Sequence, residues 1–396
     1  MLYLAIDQHK DQLTVNLRNE KGDVIQKDQI STDCDKINDF FDKLLRQAGR
    51  HRGYMAIVEV CGFNQWLIEK LKQYKCHEIV IVQPENSSNN KTDTRDANSL
   101  GELLWNNRNR LRGGQRPNGI RRIIPANQED AQIRQLSNFR HFLVIQRTRI
   151  INKTKAIVNK HNMDQECPTK LTRTQKYRQW LGKIEIPFTD RLEIDSHLEL
   201  LKVYDKQILE VELELMKRAE GDKNVTKLAA IPGISPIGAI TLLSRIGDIK
   251  RFKGPNSLAN YFGLTPSCHN SAKSQRVGGI TKAGCPLARH VLNFAVKHLI
   301  RKDLEMKAWH NKIKKRKKGK TARVAVMRKL TTIIWHMLRW DKPYQFRYEA
   351  VQSPKKTKIK RGANKGFVRH GNSNHLQEKV KTPLKCRGKT TVKSKA

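Results

Sequence analysis

The sequence holds 78 Lys and Arg against 37 Asp and Glu, a formal charge of +41 at pH 7. Positive charge on that scale repels itself in any compact state, so the chain is expected to work beside a polyanion that neutralises it. Nucleic acid is the first candidate. An acidic membrane surface is the weaker one, because no lipid-facing helix is apparent. The 396 residues suggest two or three domains. No apolar stretch approaches the roughly 18 residues of a membrane span. Residues 1–10 carry Asp7 and lack a basic segment followed by an apolar one, which argues against a signal peptide. The seven cysteines are odd in number, scattered, and never spaced CxxC, so a disulfide scaffold or zinc ribbon is not expected. A reducing cytoplasm fits, with nucleoid association when the chain is bound to DNA.

The first ninety residues read as α/β. Residues 2–7 form a short apolar run, 12–17 alternate as QLTVNL, and 23–29 follow a Gly22 turn, which predicts three antiparallel strands. Residues 37–45 are amphipathic, 54–60 read as a buried strand, 64–74 as a helix and 78–82 as another buried strand. The order βββαβαβ is that of an RNase H-like or RuvC-like domain, although many α/β folds begin this way. A helix is predicted over 95–105. The basic, Gly-containing segment 108–122 reads as exposed. Two long helices follow, over 129–162 and 191–218. The first has Ile133, Leu136, Leu143, Ile150 and Ile157 as its stripe, with Arg134, Arg140, Arg147, Arg149, Lys153 and Lys155 opposite. The second has Ile194, Leu198, Leu201, Ile208 and Leu215, flanked by Glu199, Glu210, Glu212 and Glu214. One basic and one acidic helix suggest an antiparallel coiled-coil arm, within a chain or between chains. Solvated helix faces account for the charges equally well. Residues 225–300 read as a second, helical unit. The tail 341–396 holds 16 Lys and Arg, 3 acids and little apolar periodicity, and is expected to be disordered in isolation.

Four acids are candidates for chemistry. Asp7 ends the first strand and Glu59 a later one; Asp93 and Asp96 lie three apart at a helix start, where they share a face. Hard divalent ions such as Mg²⁺ take carboxylate oxygens, and two of them can clamp a phosphodiester displacement. Each acid alone is as readily a strand-end or capping residue. In the second unit, IPGISP between apolar helices looks like a helix-hairpin-helix, whose turn at Gly233 would let backbone N–H groups approach a phosphate; an ordinary turn between two helices reads the same. Residues 263–284 are rich in Ser, Lys, Arg and Gly. They are expected either to be disordered or to meet phosphate through Lys273, Arg276 and Lys282, with Ser267, Ser271 and Ser274 as hydroxyls that cations could activate.

Several segments together resemble the insertion sequence one-ten family of transposases, the DEDD serine recombinases guided by a bridge RNA. LAIDQHKDQLTV, VEVCG and KTDTRDA resemble its RuvC-like domain; IPGISPIGAITLLSRIGDIKRF, YFGLTPS and VGGITKAG resemble its C-terminal transposase domain. The resemblance covers residues 1–160 and 225–310. It implies a metal site on Asp7, Glu59, Asp93 and Asp96, and a nucleophilic serine falling on Ser271. The local run HNSAK lacks the glycines expected there, which leaves Ser267 as the alternative. It also implies a covalent protein–DNA link, a metal acting on the same phosphate, DNA at the element junction and at a target, a non-coding bridge RNA, and dimers or tetramers built through the arms. The fold expected is thus an α/β RuvC-like domain over 1–125, a coiled-coil arm over 126–222, a helical serine transposase domain over 223–340 and a basic tail over 341–396. A metal-dependent junction nuclease using water, or a non-catalytic nucleic-acid-binding protein, are the alternative functions.

Overall fold

The computed structural model describes residues 1–345, apart from 63, 84–92, 116, 120–121, 170–171, 173 and 272–273. The tail beyond residue 345, expected to be disordered, lies outside the described residues. There are two compact units, residues 1–125 and a second beginning at Ala126.

The first unit is a mixed sheet with helices on it. Its elements run β1 (Leu2–Gln8), β2 (Gln12–Arg18), β3 (Val24–Ser31), α1 (Cys34–Arg50), β4 (Tyr54–Glu59), α2 (Gln65–Gln73), β5 (Glu78–Val82), α3 (Asp93–Arg112) and β6 (Arg122–Ile123). The strand order is β3-β2-β1-β4-β5-β6. β1 pairs antiparallel with β2 and parallel with β4, and β5 continues the parallel run. β1 is buried on both faces because its residues alternate between two cores. Leu2, Leu4 and Ile6 join α1 and α2 residues such as Phe41, Leu44 and Leu71 on one side. Tyr3 and Ala5 join Leu100 and Leu104 of α3 on the other. Full burial of each such aliphatic side chain contributes roughly 1.5–3 kcal/mol. Segment 108–122, expected to be exposed throughout, is ordered at both ends: α3 continues to Arg112, with Leu111 in the α3-side core, and Arg122–Ile123 extend the sheet against β5.

The second unit runs α4 (Gln128–Lys160), α5 (Gln175–Leu181), α6 (Phe188–Ala219), α7 (Lys223–Ala229), α8 (Pro236–Ile246), α9 (Pro255–Tyr261), β7 (Pro266–Ser271), β8 (Ser274–Ile280), α10 (Pro286–Lys302), α11 (Leu304–Arg316) and α12 (Gly319–Arg339). α4 and α6 pair antiparallel. Their cross-links run Arg218–Gln132, Arg140–Glu212, Arg147–Asp205, His197–Thr154 and Lys160–Asp190, so partners on α6 descend as those on α4 ascend. The base of the pair does not stand apart. Ile133, Leu143, Ile208, Val211 and Leu215 share one core with Ile234, Leu242, Phe262, Leu292, Val326 and Leu330. The far end has a small core of its own, where Tyr177 and Leu181 of α5 cover Ile157, Val158 and Ile194. Three cations that read as a basic outer face are held internally instead. Arg134 caps the end of α8 by donating to Ser244 O at 2.8 Å, and Arg140 and Arg147 are ion-paired to α6.

Two histidines report on this packing. Burial, then His290 and Arg140, hold His141 below the ordinary imidazole value; burial, with Lys153 and against Glu193, does the same for His197. A lowered folded value means the unfolded chain protonates first, so stability is lost as pH falls below the unfolded value of about 6.5. The unfolding midpoint should drop between about pH 7 and pH 5.5, and drop less in the His141→Gln/His197→Gln double variant. Equal drops in both proteins would contradict this assignment.

Candidate active site

Two carboxylates of the first unit, Asp7 and Glu59, are placed on neighbouring strand ends by strand register. On β1, Tyr3 and Ala5 face α3; on β4, Met55 and Ile57 do. The parallel ladder ends at Ile6↔Val58. The next residues are Asp7 and Glu59, which continue the alternation onto the same α3-facing side, at the carboxyl ends of neighbouring parallel strands. Asp7 is largely buried, with a side-chain exposure of 14%, and its Oδ2 lies 3.2 Å from His9 Nε2. Asp96 stands one turn before Leu100 on α3, the helix that covers this face, and is half-buried. Asp93 is the first residue of α3; its side chain lies outside the described residues. Among the described residues, no three His, Cys, Asp or Glu side chains close into a metal-holding group.

Asn64, which the sequence did not bring to attention, pins the ends of both acid-bearing strands. Its Nδ2 donates to Gln8 Oε1 at 2.8 Å and to Glu59 O at 3.0 Å, while Cys61 N–H donates to its Oδ1. A polar link also fixes α3 over the sheet. Arg18 donates to Asn98 at 2.9 Å and to Asn16 at 3.2 Å, and Asn16 donates to Asn98 at 3.2 Å. Where α3 crosses β2 the approach is close: a Cβ on Gly101 would lie 2.8 Å from Asn16 Oδ1 and 3.0 Å from Arg18 Nε, so a larger residue there would displace this link.

In the second unit the Ser/Lys/Gly segment forms a two-stranded hairpin. β7 and β8 pair antiparallel, with Ser271↔Ser274 as the last pair and a register shift between Pro266 and Cys268. The serine candidates differ. Ser267 donates its hydroxyl across the hairpin to Gly279 O at 3.2 Å. Ser271 and Ser274 flank residues 272–273. Lys273 and the side chains of Ser271, Ser274 and Arg276 lie outside the described residues.

The foot of the hairpin is built by close backbone approach between the YFGLTPS and GGITKAG segments. Thr281 N–H donates to Thr265 O at 2.9 Å and Lys282 N–H to Gly263 O at 3.2 Å. Gly263, at φ +67°, has Ala283 O 2.5 Å from where a Cβ would stand, so no other residue can occupy it without displacing backbone. Lys282 itself adopts φ +54° and is exposed. Arg289 ties the two segments by donating to Phe262 O and Gly284 O at 3.1 and 3.0 Å.

The α10 that follows opens on Cys285, whose Sγ accepts from Arg245 Nε at 3.1 Å. Arg245 is only 3% exposed and also bonds Ser137 and Asn138 of α4. Burial pushes the Cys285 thiol up, but the Ala288 N–H and the guanidinium outweigh it and leave the thiol below its usual range. The hairpin is thereby linked through α10 and α8 to the base of the helix pair.

Gly233 has a packing explanation. Its φ is +87°, and a Cβ there would lie 2.6 Å from His298 Cβ and 2.8 Å from Ala295 O, both on α10. The close approach that requires glycine is to a helix of the same chain. A basic surface was missed in its place. From Lys312 to Lys320 the end of α11 and the start of α12 carry seven cations, all exposed. Among the described residues none of the seven has a carboxylate partner within 4.0 Å. The run KIKKRKKGK is plain in the sequence and was overshadowed by the longer basic tail.

Two family profiles match the chain. One described as "Transposase" of the DEDD type matches residues 4–163, and one described as "Transposase IS116/IS110/IS902 family" matches residues 225–311. Among curated proteins, the chain is 25% identical to the transposase for insertion sequence element IS1111A of Coxiella burnetii over 300 residues, covering 73% of this chain and 79% of that one. It is also 25% identical over 299 residues to a Sinorhizobium fredii protein named as a transposase, y4pF/y4sB, covering 73% of each. The first profile spans the sheet that carries Asp7 and Glu59, and the second runs from within α7 to within α11 with the hairpin between. The chain belongs to the IS110 family of insertion-sequence transposases and is an enzyme that acts on DNA.

Proposed function

We propose that the first unit is a RuvC-like domain holding Mg²⁺ on Asp7, Glu59, Asp93 and Asp96, and that the second supplies Ser271 as nucleophile. The observation that carries this is the placement of Asp7 and Glu59 side by side under the helix that begins with the other two acids. The donor set is all carboxylate, which suits a hard divalent ion and not a soft one. Such an ion, when bound, would supply positive charge to a phosphodiester oxygen. The chain's own residues do the rest. Asn64 and the Arg18–Asn98 link hold the acids at fixed spacing, and His9 keeps the Asp7 carboxylate in place.

At the hairpin, the Ser271 oxygen forms a bond to phosphorus as the bond to the leaving sugar oxygen breaks. The serine proton is lost to solvent and the leaving oxygen takes one up. Lys273, Arg276 and Lys282 offset the charge that builds on the phosphate in the transition state. The bond from Ser267 to Gly279 gives that hydroxyl a structural role, which favours Ser271. A bridge-type RNA would read sequence by base pairing and leave the protein mainly backbone contacts, for which the cations from Lys312 to Lys320 are suited. Assembly as a dimer or tetramer would supply several active sites.

Three outcomes test this reading. Asp7→Ala or Asp96→Ala should abolish strand exchange with Mg²⁺ while shifting the unfolding free energy by less than about 1 kcal/mol; normal exchange would mean the site is misplaced. Ser271→Ala should bind DNA and form no denaturant-stable DNA adduct, whereas Ser267→Ala should form one. The reverse pattern would move the nucleophile, and no adduct even with the unaltered protein would favour a nuclease that uses water. Replacing Lys314, Lys315 and Arg316 by Ala should lower the slope of log K against log salt for duplex DNA by about 0.9 for each phosphate that is no longer neutralised. An unchanged slope would place that surface off the nucleic acid.

A further inference from the structure

β2 carries a polar stripe on the face that meets α3. Leu13, Val15 and Leu17 belong to the opposite core, which leaves Thr14, Asn16 and Arg18 on the α3 side. Asn16 and Arg18 are bonded to Asn98, Glu102 and Gly22 O. Thr14 is different. It is 3% exposed, and its Oγ1 is a buried hydroxyl with no hydrogen-bond partner among the described residues. A buried hydroxyl left unsatisfied is destabilising, and valine, of the same shape, would fill the space without that cost. Its position indicates what the hydroxyl is for. In the β1–β2 ladder Thr14 stands directly opposite Asp7, and Cβ atoms of such pairs lie about 4.5–5.5 Å apart. Ala97, next to Asp96 in sequence, is buried on the helix that covers this face.

We infer that Thr14 is a positioning residue of the carboxylate site, donating its hydroxyl to an Asp7 oxygen when the site is loaded and so holding that carboxylate in its ligating orientation. This rests on the reading that these acids hold a divalent ion. His9, half-exposed, is the partner that Asp7 keeps on its outer side at 3.2 Å; Thr14 is the one on its inner side. Groups that orient a metal's ligands typically contribute 10- to 100-fold in metal affinity.

The test is titration of the full chain with Mn²⁺, followed by electron paramagnetic resonance, alongside thermal unfolding without added metal. Thr14→Val should weaken Mn²⁺ binding by about tenfold or more and leave the metal-free unfolding midpoint equal or higher. Thr14→Ser, which keeps the hydroxyl, should bind Mn²⁺ much as the unaltered protein does. Asp7→Asn should lose the ion. Unaltered Mn²⁺ affinity in Thr14→Val, with Asp7→Asn impaired, would overturn the role of Thr14 alone, as would a lowered metal-free midpoint in Thr14→Val. Unaltered affinity in Asp7→Asn as well would overturn the carboxylate reading itself, and the role of Thr14 with it.

Discussion

The parallel pairing of β1 with β4 is the constraint on which the proposed carboxylate site depends. Strand side chains alternate with a period of two, so a slip of one residue would carry every side chain to the other face. In the register observed, Leu2, Leu4 and Ile6 enter one core, Tyr3 and Ala5 the other, and Asp7 arrives beside Glu59 on the face covered by α3. Burial on both faces of β1 makes that slip costly. Asn64 adds a polar lock at the point where both strands end, holding Gln8 and the Glu59 carbonyl with one amide. Placing two carboxylates together works against their mutual repulsion. The packing of β1 and β4 supplies the energy that keeps them there, and a divalent ion would relieve it.

The charge excess is divided between inner and outer roles. Arg134, Arg140, Arg147 and Arg245 are used within the second unit, to close a helix end, to cross-link α4 with α6 and to tie α8 to α10 through Cys285. Exposed ion pairs contribute little, but a guanidinium as buried as Arg245 must be satisfied or the packing fails. The cations of 312–320 have no carboxylate partner among the described residues, which leaves them available to a polyanion. A single total of +41 therefore overstates how much of the surface is available to DNA.

Much of the fold was legible in the sequence because its signals are periodic. The order βββαβαβ, the apolar stripes of α4 and α6 and the strand-end placement of Asp7 and Glu59 follow from alternation and helical spacing. What was not legible has physical reasons. The hairpin at 266–280 has no alternating apolar pattern, since it is held by backbone pairing and by the close approach of Gly263 and Gly284 to neighbouring backbone. Gly233 marks a close approach, and sequence cannot tell whether the approaching group is a phosphate or a helix; here it is α10. Asn64 and Thr14 are polar residues whose roles come only from three-dimensional register. The basic character of α4 was visible, but whether an arginine faces solvent or a partner glutamate depends on how two helices are rotated against each other.

The most direct test of the carboxylate site uses chemistry that reports position. With Fe²⁺ in place of Mg²⁺, and ascorbate with peroxide to generate hydroxyl radicals at the bound ion, the backbone is cut where the ion sits. Cuts should fall near Asp7, near Glu59 and in the segment from Asp93 to Asp96, and should vanish when excess Mg²⁺ competes. Cuts confined to other segments, or cuts at these three that persist in Asp7→Asn, would contradict a metal site at the ends of β1 and β4.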